Sequence, residues 1–133
     1  MTGTLHILIK SDSTSGLAEI MSGYLRFYSE NRFNVSISGK TRVIHPLAEQ
    51  VLSEDGIEYE TDKKTKSVFI PDLVIFINST PNESIEGSPI IKEFRFPDPL
   101  QSNDYDKILS DFRIVREEIK KECIQMVGEL QMV

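Results

Sequence analysis

Cysteine, tryptophan and long hydrophobic runs are scarce or absent in this chain. Its 133 residues include one cysteine, Cys123, and no tryptophan. A single cysteine excludes an internal disulfide and a cysteine-rich zinc site. No apolar run approaches the roughly 20 residues that span a bilayer, and no basic segment precedes the first apolar run, as it would in a signal peptide. We therefore predict a cytoplasmic protein with no membrane partner and no metal site.

Basic residues are also fewer than acidic residues. The chain carries 15 Lys and Arg against 21 Asp and Glu, a formal net charge of −6. Nucleic-acid-binding proteins present a basic face that matches the phosphate backbone. The densest basic cluster, Lys63, Lys64 and Lys66, is typical of a solvated turn. The sequence therefore predicts no nucleic-acid partner.

The residues that are present favour one folded domain over 1–133. Hydrophobic residues make up 39% of the chain and charged residues 27%, which suits a core of ordinary size. Strand and helix patterns alternate, and this order predicts an α/β fold: a three-layer sandwich with a four-stranded, mostly parallel sheet and helices on both faces. The predicted strands are 4–10, 33–38, 72–77 and 90–96, and the predicted helices are 16–30, a helix from Pro46 to the Asp55-Gly56 stop, and a long helix from Asp104.

The long C-terminal helix shows one apolar stripe with charges on its other side. About 22 residues at a rise of ~1.5 Å give a helix of roughly 33 Å. We expect the stripe to cover the sheet, and any apolar surface left at 126–133 to pair with a second subunit in a homodimer. The stripe consists of Tyr105, Ile108, Leu109, Phe112, Val115, Ile119, Cys123, Met126, Val127 and Leu130.

A hydroxyl-rich loop joins the first strand to the first helix. Such a loop makes an anion cradle, because the orphan backbone N–H groups of the helix N-terminus point into it. The loop contains no cysteine, arginine or histidine, and no lysine after Lys10. Ligands of parallel sheets bind at the carboxyl ends of the strands, so the loop with Asp98 after the fourth strand could face the same site. The predicted anion-binding residues are Ser11, Ser13, Thr14, Ser15 and Gly16.

Short motifs along nearly the whole chain resemble a known family. In their order and spacing they are similar to the low-molecular-weight protein tyrosine phosphatases and the thioredoxin-coupled arsenate reductases. The motifs are Gly23-Tyr24-Leu25-Arg26, Phe33-Asn34-Val35, His45-Pro46-Leu47-Ala48, Glu54-Asp55-Gly56-Ile57, Asp72-Leu73-Val74-Ile75, Phe96-Pro97-Asp98-Pro99 and the segment from Phe112 to Ile119.

The resemblance implies an active site that lacks the family's reactive residues. The family reacts through a C-x5-R loop after strand one, in which the thiolate attacks and the arginine clamps the oxyanion, and an Asp-Pro pair supplies the acid. Ser11 and Leu17 stand at the cysteine and arginine positions, whereas Asp98-Pro99 is kept. The redox cysteine after strand three falls near Asn78. We therefore expect no catalytic residues and a non-catalytic homologue that binds a small oxyanion or a protein partner.

Other interpretations of these residues stay open. The chain could be a phosphatase or reductase-type enzyme with altered chemistry. The segment 13–16 also resembles the hydroxyl-rich loop with which flavodoxins hold FMN, although 78–89 lacks the aromatic residues that stack on a flavin; otherwise no cofactor is expected. Asp98 could serve only as a turn residue or helix cap. We interpret His45 as a helix-entry residue and Cys123 as a small core residue.

Overall fold

Strands and helices alternate along the chain in the predicted order. The structure is a computed structural model that describes residues 5–11, 16–38, 44–59, 70–81, 87 and 89–131. The polar loop predicted at 62–66 lies outside these residues. The elements are β1 (Leu5–Ser11), α1 (Leu17–Tyr28), β2 (Phe33–Ile37), α2 (Pro46–Glu54), β3 (Leu73–Ile77), β4 (Ile90–Phe94) and α3 (Tyr105–Gln131).

The four described strands form one sheet in the order β2-β1-β3-β4. All three pairings are parallel, and Ile7 of β1 lies opposite Val35 on one side and Leu73 on the other. The predicted α/β architecture with a parallel four-stranded sheet is therefore confirmed. Because parallel strands all end at the same edge, the segments that follow β1, β3 and β4 share one end of the domain.

The central strand β3 is buried on both faces, as its unbroken apolar run predicts. Leu73, Ile75 and Ile77 belong to the main hydrophobic core, together with residues of the three helices. Val74 and Phe76 alternate with them and are also buried, so they lie on the opposite face of the sheet. The centre of the sheet is thus buried on both faces, and the parallel pairings fix the register of the strand ends.

The helix α3 spans 27 residues and is longer than predicted. It packs against α1 and α2, and the predicted stripe is buried from Phe112 to Val127. Tyr105 is the exception: 58% of it is exposed, because it is the first residue of the helix and lies beyond the core. Of the helices in the described ranges, none combines the length and the apolar character that a membrane span needs.

Candidate functional site

The predicted anion site lies where β1 ends and α1 begins. Ser11 is the last residue of β1 and pairs in register with Ile77 of β3. Ser13, Thr14 and Ser15 lie outside the described residues. The structure therefore describes the two ends of the predicted cradle, Ser11 on the strand side and Gly16 on the helix side.

Gly16 is the N-cap residue of α1 and has a left-handed backbone, with φ of 92°. It places no side-chain cap on the helix. A Cβ atom at this position would lie 2.7 Å from the Cβ of Ala48, so the start of α1 rests directly against α2. Both the positive φ and this close approach require glycine. The start of α1 at Gly16 is thereby tied to α2 by packing.

The first turn of α1 offers no cation to a bound anion. Leu17, at the position where the resemblance places the clamping arginine, is fully buried in the core. Glu19, in the same turn, is only 2% exposed. A carboxylate near a helix N-terminus is favoured by the same partial positive charge that would attract an anion. Glu19 was not among the residues predicted from the sequence, although its position two residues after Leu17 places it in the first turn of α1.

Asp98 lies beyond β4 at the same edge of the sheet. Its Oδ1 accepts a hydrogen bond of 2.9 Å from the backbone N–H of Leu100, and the bond is exposed. This is the geometry of an Asx turn. The end of β3 lies between the ends of β1 and β4, so those two ends are about 10 Å apart at a strand spacing of ~4.8 Å. The topology thus brings Ser11 and the Asp98 segment to one edge.

Asn78 connects the ends of β3 and β4, a role that was not predicted from the sequence. Its side-chain oxygen accepts a 2.8 Å bond from the Phe96 N–H, and its amide donates a 3.0 Å bond to the Phe96 carbonyl. Its backbone N–H donates to the carbonyl of Phe94 at 2.9 Å. Its φ of 54° is positive, a region that asparagine tolerates better than most residues. The clamp orients the segment that leads to Asp98.

The two histidines of the chain both have structural roles. The Nδ1 atom of His45 accepts a 3.1 Å bond from the N–H of Leu47 and so caps α2. Its ring also stacks on Phe112 with a centroid distance of 5.3 Å. The Nδ1 atom of His6 lies 3.2 Å from the Asn34 amide nitrogen. The described residues contain no group of three or more acidic, histidine or cysteine side chains that could hold a metal ion.

Charge is concentrated instead where α2 meets α3. Glu54, at the end of α2, accepts 2.6 Å bonds from both Arg113 and Arg116. The hydrogen bond from Arg113, joined by that from Arg116, lowers the pKa of Glu54 to about 2. Glu54 therefore stays ionised through the physiological range and joins the two helices.

A second charged contact lies beside the first. The hydroxyl of Tyr24 in α1 donates a 2.5 Å bond to Oδ2 of Asp55, and the Lys120 ammonium lies 3.3 Å from the same oxygen. The bond from Tyr24 lowers the pKa of Asp55. Burial and the Asp55 contact together raise the pKa of Tyr24 well above its usual value. These groups fasten α1, α2 and α3 and are not placed at the strand ends.

Cys123 is a core residue in the structure. It is fully buried in α3, and its Sγ lies 3.7 Å from the carbonyl oxygen of Met21. Burial raises the pKa of its thiol far above the usual range. A thiol that does not ionise is a poor nucleophile and a poor redox partner.

Two surface clefts border the segment 56–59, away from the predicted site. One, of about 220 Å³, lies between this segment and the C-terminal half of α1, where Arg26 and Phe27 line it. The other, of about 580 Å³, runs along α2. Neither cleft is lined by any of the predicted site residues.

The fold of this chain is similar to that of proteins of known structure. Neither a protein-family model nor a curated protein matches the chain in sequence. An arsenate reductase solved in the intermediate state matches with a TM-score of 0.71 and 19% identity, over 95% of this chain and 98% of that chain. The arsenate reductase of Archaeoglobus fulgidus gives a TM-score of 0.68 and 12% identity, over 92% and 98%.

A mutant of YwlE from Bacillus subtilis matches with a TM-score of 0.60 and 13% identity, over 96% of this chain and 99% of that chain. At these identities the likeness concerns the fold. The chain has the fold of the arsenate reductases and low-molecular-weight phosphatases, which confirms at the level of the fold the family resemblance seen in the sequence.

Proposed function

We propose that this chain is a non-catalytic relative of the arsenate reductases and low-molecular-weight phosphatases, and that its loop after β1 binds a small oxyanion such as phosphate. The observation that carries the proposal is the burial of Leu17. An aliphatic side chain lies fully inside the core at the position where the resemblance places the clamping arginine. A bound anion therefore gains no charge-assisted bond from that position.

The nucleophile position supports the same conclusion. A serine hydroxyl becomes a competent nucleophile only beside a general base. The rings of His45 and His6 both hold other partners, Leu47 and Asn34. His6 lies five residues before Ser11 along β1, about 16 Å away at ~3.3 Å per residue, and the Nδ1 atom of His45 is used to cap α2, so we propose that neither histidine activates Ser11.

The binding role rests on backbone amides rather than on side-chain charge. The first turn of a helix presents N–H groups that favour anions, and Gly16 leaves that end of α1 without a side-chain cap. Each charge-assisted bond of an arginine clamp is worth roughly 1.5–3 kcal/mol. Without such a clamp we expect binding of phosphate near the millimolar range, which corresponds to about 4 kcal/mol.

The catalytic part of the proposal is tested with p-nitrophenyl phosphate and with arsenate plus a thioredoxin reducing system. We expect no turnover above that of the Ser11→Ala variant, which serves as the matched control. Turnover that is present in the native chain and lost in Ser11→Ala would favour an enzyme with altered chemistry and would overturn the proposal.

The binding part is tested by titrating the ¹⁵N-labelled chain with inorganic phosphate and following backbone amide shifts. We expect saturable shifts at Gly16, Leu17 and Ala18, and none at Gly56, another glycine with positive φ. Equal shifts at both glycines, or no shift at Gly16, would contradict an anion site at the loop. A parallel titration with FMN that saturates at the same amides would support the flavodoxin-like alternative instead.

A further inference from the structure

The solvent-facing side of α3 carries apolar side chains that the core does not use. Ile114 is 57% exposed and Ile124 is 47% exposed. At 3.6 residues per turn both lie on the side of the helix opposite the buried stripe. Glu117 and Lys121 lie between them on the same side and are also exposed. We call these four residues the outer face of α3.

The outer face of α3 has the spacing of a helix–helix seam. Its residues follow one another at intervals of three, four and three, the pattern by which two helices pack along one another. Within the described part of the chain Lys121 has no ion-pair partner. Glu117 pairs with Arg116 at 2.9 Å, yet its side chain remains 55% exposed. The charges in this face are therefore accessible to a partner.

The outer face of α3 is complementary to itself when reversed. If a second copy of α3 runs antiparallel about a two-fold axis at the level of Ile119, Ile114 lies opposite Ile124 of the second copy. In the same register Glu117 lies opposite Lys121 of the second copy, and the symmetry makes each contact occur twice. Apolar groups thus meet apolar groups, and opposite charges meet.

Small residues lie at both ends of the paired surface, where they leave room for the two α3 helices to approach each other. Ser110 lies opposite Gly128 of the second copy, and a Cβ atom built on Gly128 would meet no atom within 4 Å. Both positions are exposed. Small residues there allow the two helices to approach along most of their length, about 40 Å for 27 residues at ~1.5 Å each.

We propose that this protein forms an antiparallel homodimer through the outer face of α3. Met126 and Val127 are buried in the core, so this surface is different from the 126–133 segment considered from the sequence. A single helix seam with two isoleucines per chain buries less than the ~800 Å² per partner of a standard interface. The dimer is accordingly weak and depends on concentration.

The proposal is tested by sedimentation velocity on the full chain from micromolar to millimolar concentration. We expect a reversible monomer–dimer equilibrium. Glu117→Lys and Lys121→Glu each place like charges opposite one another at both symmetric contacts, and each should weaken the dimer about tenfold. Glu58→Lys, the same change of charge at an exposed residue outside α3, should leave the dimer unchanged.

An equimolar mixture of the two charge variants provides the decisive measurement. One variant then presents two lysines and the other two glutamates, so a heterodimer recovers both attractive pairs and should form with close to native affinity. A chain that stays monomeric at millimolar concentration would overturn the proposal. A dimer that resists both single substitutions, or a mixture that fails to associate, would also overturn it.

Discussion

Two regions of this molecule use polar residues in opposite ways: the carboxyl edge of the sheet and the seam between α2 and α3. At the carboxyl edge, the side chains of Asn78 and Asp98 form hydrogen bonds with backbone groups of Phe96 and Leu100. At the seam, Glu54 binds two arginines of α3. Ion pairs thus cross between the helices at this seam, whereas the carboxyl edge is held by side-chain hydrogen bonds to the backbone.

This difference shows that the contacts between the helices do not depend on the residues at the carboxyl edge of the sheet. The contacts that position α1 and α2 are the close approach of Gly16 to Ala48 and the bond from Tyr24 to Asp55. Neither contact needs a cation at the position of Leu17. The fold therefore tolerates an apolar residue where a clamping arginine would stand.

The largest expected effect comes from placing a cation at the carboxyl edge. Leu17→Arg puts a charged side chain where the native one is fully buried, and we expect it to lower the free energy of unfolding by about 4 kcal/mol. Leu17→Met keeps the volume and the apolar character and should cost less than about 1.5 kcal/mol. Urea denaturation measures both. Equal stability of Leu17→Arg and Leu17→Met would show that this position opens to solvent.

A smaller effect is expected from releasing the clamp between β3 and β4. Asn78→Ala removes two side-chain hydrogen bonds, worth about 1 kcal/mol each, and forces alanine into a positive φ at a further cost of about 1 kcal/mol. Asn78→Gly relieves only the backbone strain and should recover about 1 kcal/mol of the loss. Denaturant unfolding of the two variants separates the loss of the hydrogen bonds from the backbone strain. A glycine variant as unstable as the alanine variant would contradict the contribution of backbone strain.

The smallest effect is expected at the α2–α3 seam, because Glu54 is partly exposed and its ion pairs are screened. We expect Glu54→Gln to cost about 1 kcal/mol at neutral pH. The pKa of Glu54 is lowered in the fold from 4.5 to about 2, so its contribution is present above pH 4.5 and is lost as the pH falls towards 2. The native chain and the variant should therefore converge in stability near pH 2. A constant difference from pH 7 to pH 2 would exclude Glu54 as the titrating group.

The local patterns of the chain were sufficient to predict its elements and their order. The unbroken apolar run before Asn78 predicted a strand buried on both faces, and β3 is such a strand. Pro46 and the Asp55-Gly56 pair predicted the limits of α2 within a residue or so. These features depend on hydrophobic periodicity and on backbone preferences of proline and glycine, which act over a few neighbouring residues.

Long-range contacts were not predictable in the same way. Glu54 and Arg113 are 59 positions apart, and Asn78 and Phe96 are 18 apart, so no local pattern indicated that they would meet. Tyr105 continues the apolar stripe in sequence but is exposed, because it is the first residue of α3 and lies beyond the packed core. Its exposure depends on where the other elements end.

The chain's own residues determined the α/β alternation, the hydroxyl-rich loop after β1 and the presence of Ser11 and Leu17 on either side of that loop. Each of these is a property of residue type and of neighbours along the chain. Only the tertiary structure decided that Leu17 is sealed inside the core, that Asn78 clamps Phe96 and that the paired charges gather between α2 and α3. Burial and pairing are set by distances between segments far apart in sequence, and those distances exist only once the sheet and the helices have packed.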